Sequence, residues 1–208
     1  MSAGCQHNHD FAGASTAYRR TLLLVIAINA GMFLVEMVYG ITGESQALQA
    51  DALDFLGDSM TYALSLWAIG KSVATRGNVA LLKGVSLLLM AFWVLGSTFY
   101  HVLYSNSPSA PIMGGVAVAA LAANLVSVLL LVRYKDGDAN VRSVWLCSRN
   151  DAIGNVAVLV AAGLVFMTGT RWPDLVVATV LASLFISSSR QIIVQAMAEK
   201  RHTAHEHH

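Results

Sequence analysis

Charge is what this sequence has least of. Only 12% of its 208 residues are Asp, Glu, Lys or Arg, against 56% that are hydrophobic, and mean hydropathy is +0.59. A soluble domain carries roughly twice that charged share, so a water-soluble globule is excluded. The formal net charge is +1, which leaves no basic footprint for nucleic acid. Two cysteines, Cys5 and Cys147, stand too far apart in sequence to suggest a disulfide framework. The opening "MSAGCQHNHDFAGASTAYRR" lacks a cleavage-site pattern behind a short apolar core. The first hydrophobic run is therefore expected to be a retained helix and not a signal peptide. No stretch between apolar runs is long enough to hold a soluble domain.

What is present is a series of apolar runs of about 20 residues, each able to cross a hydrocarbon core ~30 Å thick. They predict an all-α polytopic membrane protein with six transmembrane helices, near residues 19–41, 47–71, 79–104, 112–134, 140–168 and 173–197. A polar N-terminal tail, 1–18, precedes this 19–197 domain, and a His-rich tail, 198–208, follows it. The links fit: "TGES" and "SNSPSAP" are rich in turn formers, "ATRGN" and "YKDGDAN" are polar, and Pro173 in "TGTRWPD" suits a helix start. Arg19, Arg20, Lys71, Arg76, Arg133, Lys135, Arg142, Lys200 and Arg201 all fall on one side of such a bundle, with Arg171 the exception opposite. The positive-inside rule then puts both termini in the cytoplasm of a multi-pass membrane protein.

Against that apolar background, "QALQADALDFLGDSMTYALSLWAIG" is anomalous. It carries Asp51, Asp54 and Asp58, and a carboxylate at a helix centre costs about 2.5–3.5 kcal/mol to insert. At 100° per residue the three project within an arc of roughly 60° on one helix face. Asp54 and Asp58, at i and i+4, are stacked neighbours that can meet one ion. Two bare carboxylates so close in low dielectric call for a cation, a shared proton, or an exchange between the two.

The fifth helix offers a second pair. "VWLCSRNDAIGN" spaces Cys147 and Asp151 at i, i+4, with Asn150 beside them. The second helix enters from outside and the fifth from the cytoplasm, and both pairs lie ~12–18 Å from their entry points, hence near one depth. One sulfur and three carboxylates there would suit Zn²⁺ or a softer divalent ion such as Cd²⁺. The plain alternative is that these groups only hydrogen-bond neighbouring helices, or that Cys147 is a small packing residue. For the aspartates that alternative is the weaker, since acidic groups inside a membrane are functional by default. Asp51, nearer the outer surface, is an accessory candidate that gates or orients.

These residues resemble the cation diffusion facilitator family. Its second-span motif, S-x-A-L-x-A-D-A-x-(H/D)-x-x-x-D, is matched by "SQALQADALDFLGD" from Ser45 to Asp58, and "CSRND" at Cys147–Asp151 stands in for its fifth-span (H/D)-x-x-x-D. Asn29, Glu36 and Gly40 in the first span and Asp174 opening the last extend the likeness. The resemblance implies a divalent metal efflux transporter, for zinc first and cadmium or cobalt next. It would be coupled to protons by antiport with alternating access, the metal being cargo and not a cofactor. Asp54, Asp58 and Asp151 match the family's transport-site positions. Cys147 departs from the usual His or Asp, which favours softer ions. The chain is expected to be a short form lacking the family's cytoplasmic C-terminal domain, which leaves a homodimer an open question.

At the edges, Cys5, His7 and His9, and His202, His205, His207 and His208, suit weak metal binding by composition alone. Glu36 is an accessory candidate that pairs with Lys83 or joins a proton path. His101 reads as an interfacial polar group and Trp172 as an interface anchor, while Trp67, Trp93 and Trp145 are expected to pack inside. Arg149 should pair with an acid or point away from the metal. Two rivals remain: an intramembrane aspartyl-type protease, for which "FLGD" has no companion Y-D or P-A-L element, and a non-transporting membrane subunit. A haem carrier is disfavoured because the spans lack paired histidines.

Overall fold

The structure, a computed structural model, describes residues 16–67, 73–104, 107–134 and 139–205; the side chains of 65, 73–77, 79, 83, 104, 139–150, 195 and 198–205 fall outside that description. Among the described residues there are six long helices and no strand: α1 Thr16–Thr42, α2 Gln46–Trp67, α3 Val73–Tyr104, α4 Ala110–Leu131, α5 Ala139–Thr168 and α6 Trp172–His205. A 3₁₀ turn, Val132–Tyr134, extends α4. Among the described residues five stretches are long and apolar enough to span a bilayer. The second helix, with its three aspartates, falls short of that test. Its crossing depends on its neighbours.

Those neighbours enclose it. α2 packs against all five other helices, and every residue from 45 to 53 is buried. The helix with three aspartates is thus screened from lipid, which is how a bundle keeps intramembrane carboxylates affordable. Around it the bundle is apolar outward. Leu34, Leu89, Phe99, Leu129, Phe166 and Met167 are all exposed, and such surface finds its partner in acyl chains.

Two apolar cores lie at opposite ends. At the Ser45 end of α2, Ala47, Ala50, Ala91, Ala117, Ala161, Ala162, Ala178 and Ala182 dominate a cluster with Leu48, Leu53, Val94 and Val158. Small residues let helices approach closely where hydrophobic force between them is lacking. At the other end, Tyr18, Leu22, Val25, Tyr62 and Leu131 form a second cluster. Tyr134 meets Tyr18 edge-on at 5.1 Å, and Arg133 lies 4.7 Å from the Tyr134 ring centre and donates to Thr21 Oγ1 at 2.9 Å. The acidic residues of α2 and α5 lie between the two plugs.

Some expectations are corrected. α3 begins at Val73, so "ATRGN" is helix and not a link; it holds no proline, and a helix leaving the bilayer keeps its backbone bonded in water. α6 runs on to His205 for the same reason. Trp93 does not pack inside: it is 73% exposed, on the outward side of α3 with Leu89 and Phe92. Trp67 is also exposed. For Trp93, lipid takes the place of the protein interior. Trp172 is exposed at the start of α6, as an interface anchor would be, and Trp145 lies outside the described side chains.

Candidate functional site

The site is built from the Ser45 end of α2. Helix N-termini leave backbone N–H groups unpaired, and here a carboxylate from another helix takes them. Asp174, in the first turn of α6, accepts from Gln46 N at 2.8 Å and Ala47 N at 3.1 Å, and from the Ser45 hydroxyl at 2.6 Å. Ser45 Oγ in turn receives Leu48 N at 3.2 Å, the reach of an N-cap. Favourable contact between an anion and a helix start adds to this clasp. The turns at this end are tied as well: Ser109 N donates to Gly43 O at 2.9 Å, and Ser107 Oγ to Gly169 O at 2.7 Å. Glu44 has φ 55°, the left-handed conformation that lets the α1–α2 turn close.

α1 joins α2 by close approach. A Cβ on Gly40 would stand 2.9 Å from Gln49 Cγ, and Gln49 Nε2 donates to Gly40 O at 3.3 Å. That contact seats Glu36, one turn back along α1, against α2. The carboxyls of Glu36 and Asp51 face each other at hydrogen-bonding reach. Both are sealed, at 0% and 1% exposure. Neither Glu36 oxygen nor Asp51 Oδ2 has a donor. Asp51 thus stands beside Glu36; the side chain of Lys83, the other partner expected for it, lies outside the described residues.

Further along α2, Asp54, Asp58 and the Asp151 of α5 are only half-buried. Asp151 comes to hydrogen-bonding reach of Asp58 and feels the charges of Asp54 and Asp51. Its Oδ2 has no donor. The Tyr62 hydroxyl, rising from the far apolar plug, donates to Asp58. Asn155, one turn beyond Asp151 and 1% exposed, donates to the Asp151 carbonyl at 3.0 Å and leaves its own Oδ1 without a donor. So the two oppositely directed helices meet at one level through their aspartates.

Other candidates stand apart or fall outside the described residues. Among the described side chains no three His, Cys, Asp or Glu close on a point as a finished metal shell. Cys147, Arg149 and Asn150 lie on α5, but their side chains are outside the description, as are Cys5, His7, His9 and the tail histidines. His101 Nδ1 donates to Ser97 O at 2.8 Å, and His101 lies near Asp174. Sequence reasoning missed the capping role of Asp174 and the orphaned amide of Asn155. An acid directly after Pro173 signalled a helix start for α6, not a cap for α2.

Helices wrapped around an acidic middle, with lipid-facing surfaces outside, define a multi-pass membrane protein with a polar centre. The chain belongs to the cation efflux family: the model of that family's transmembrane domain matches residues 22–199. It is similar to the metal cation efflux system protein CzcD of Cupriavidus metallidurans, at 27% identity over 93% of this chain and 64% of that protein. It is also similar to the cadmium, cobalt and zinc/H⁺–K⁺ antiporter of Bacillus velezensis, at 24% over 89% and 63%. The zinc transporter ZitB of Escherichia coli matches at 25% over 86% and 62%. The chain spans just under two-thirds of the length of these relatives. Its family and its relatives are those of bacterial inner-membrane transport proteins.

Proposed function

We propose that the chain exports a divalent metal cation, zinc first and cadmium or cobalt next, in exchange for protons by alternating access. The observation that carries this is the meeting of Asp58 and Asp151 across α2 and α5, beside Asp54, in a half-buried band between two apolar plugs. Asp54, Asp58 and Asp151 supply hard oxygen ligands, and Cys147, four residues before Asp151, supplies a soft one. Asn150 and the N-terminal Cys5, His7 and His9 are accessory at most.

Unmetallated, the carboxylates repel one another; a bound ion removes that repulsion and lets the loaded bundle change access. Protons compete for the same oxygens, and ligation requires the deprotonated forms. Metal and proton therefore exclude each other, which is the chemical basis of antiport. By the positive-inside rule the Tyr62 end, with Arg19, Arg20 and Arg133, faces the cytoplasm. The relatives' printed zinc, cadmium and cobalt specificities support the choice of ions. Membership of a transport family disfavours the aspartyl-protease alternative.

The test is reconstitution in vesicles holding a pH dye, screened against several divalent ions. Asp54→Ala and Asp151→Ala should abolish metal-driven proton flux while the protein still folds. Cys147→Asp should move the preference from Cd²⁺ toward Zn²⁺. Retained flux in both aspartate variants would remove this site from the mechanism.

A further inference from the structure

The Tyr62 end of the bundle carries a group of arginines at its surface. Arg19 and Arg20 stand exposed in the opening turns of α1, and Arg133 stands exposed in the 3₁₀ turn after α4. α1 packs against α4, and Arg133 Nη2 reaches across to donate to Thr21 Oγ1 at 2.9 Å. Thr21 follows Arg20 directly, with Cα atoms of such neighbours about 3.8 Å apart, so the Arg20 backbone lies next to the Arg133 guanidinium. The Tyr134 ring, its centre 4.7 Å from that guanidinium, and Tyr18, edge-on to Tyr134 at 5.1 Å, hold it in place. Among the described side chains no carboxylate answers these charges. The single acid of α1 is Glu36, about four turns further along, and α4 with its 3₁₀ turn has none from Ala110 to Tyr134. Below the arginines both helices turn apolar on the outside. Leu23 and Leu24 are exposed four residues after Arg19 and Arg20, and Leu129 is exposed four residues before Arg133. Positions four apart share a helix face, so each arginine stands above a lipid-facing leucine. A soluble anion would use the cationic part alone; an amphiphile with an anionic head and acyl chains fits both parts.

We infer that Arg20 and Arg133, with Arg19 beside them, form a binding site for the phosphate headgroup of an anionic glycerophospholipid, whose acyl chains lie along Leu24 and Leu129. A guanidinium has five N–H donors, and the Thr21 hydroxyl accepts from Arg133 through one nitrogen, which leaves a fork for phosphate oxygens. The bound phosphate cancels the repulsion between the two arginines and bridges α1 to α4. The positive-inside rule puts these residues at the cytoplasmic leaflet, where basic side chains meet anionic lipid. The site uses none of the aspartates and stands whichever ion is exported.

The full chain, purified in a neutral detergent, is titrated with phosphatidylglycerol, with phosphatidylcholine of the same acyl chains, and with glycerol 3-phosphate. Bound lipid is counted by native mass spectrometry. Phosphatidylglycerol should bind about twentyfold tighter than phosphatidylcholine, from two arginines at about fivefold each. Arg20→Gln and Arg133→Gln should each weaken its binding by about fivefold, and Arg133→Lys, which keeps the charge and loses the fork, by less. Arg190→Gln, which removes an exposed arginine of α6, should leave binding unchanged. Equal binding of the two lipids by the wild-type chain would overturn the site. Equal weakening by Arg190→Gln would overturn it too, since the preference would then follow net charge alone. Displacement of the lipid by glycerol 3-phosphate at equal concentration would defeat the lipid assignment in favour of a soluble anion. Variants are compared where they keep the wild-type unfolding temperature in detergent. Arg20→Gln, whose side chain makes no bond among the described residues, carries the test if Arg133→Gln unfolds.

Discussion

The carboxylate of Asp174 receives the Ser45 hydroxyl at 2.6 Å, joining residues 129 positions apart and fastening the start of α6 to the start of α2. The same carboxylate takes two α2 backbone N–H groups. Because α2 is the helix that carries Asp54 and Asp58, this clasp sets their axial position relative to α6.

Asp174→Ala should therefore destabilise the bundle. Buried donors left without an acceptor cost about 1–3 kcal/mol each. Asp174→Asn, which keeps an acceptor oxygen but loses the charge, should cost less. Thermal unfolding of the detergent-purified protein ranks the three, and an Asn variant as damaged as the Ala variant would contradict the capping role.

Tyr62→Phe isolates the hydroxyl that donates to Asp58. The ring stays in its cluster with Tyr18, Leu22 and Val25, so the fold should hold. Hydrogen bonds that orient a ligand typically govern about 10–100-fold in metal affinity. Zinc titration against a competing chelating dye should show weaker binding near the low end of that range, with an unchanged unfolding temperature.

Gly40→Ala tests the close approach of α1 and α2. The added methyl would stand 2.9 Å from Gln49 Cγ, 3.1 Å from Gln49 N and 3.3 Å from Leu48 Cβ. The side-chain end can shift, but the backbone nitrogen cannot. Overpacking of this kind costs about 1–3 kcal/mol. Gly31→Ala, where nothing lies within 4 Å, is the matched control and should be neutral or slightly stabilising in the same unfolding measurement.

Local pattern made the spans and the acidic stretch of α2 readable before any coordinates. Apolar runs of bilayer length report themselves by hydropathy, and i, i+4 spacing tells which side chains of Asp54, Asp58 and Asp151 can share a depth. What local pattern does not carry is the partner across helices. Asp174 caps a helix that begins 128 residues earlier. Glu36 stands beside another acid, Asp51, a neighbour that charge pairing along the sequence does not suggest. The outward turn of Trp93 was equally hidden, because lipid and protein interior reward the same apolar ring. The early start of α3 reflects helix continuing past the hydrocarbon edge, where hydropathy falls silent.

The two ends of the bundle differ in texture. One is interlocked by aromatic rings at Tyr18, Tyr62 and Tyr134, the other lined with methyls from Ala47, Ala50, Ala91, Ala117, Ala161, Ala162, Ala178 and Ala182. Methyl against methyl has little corrugation, so helices there can glide without any side chain changing rotamer, while meshed rings resist. At the Ser45 end it is therefore the Asp174 clasp, more than the alanine floor, that holds α2 against α6, whereas at the other end the rings themselves do the holding.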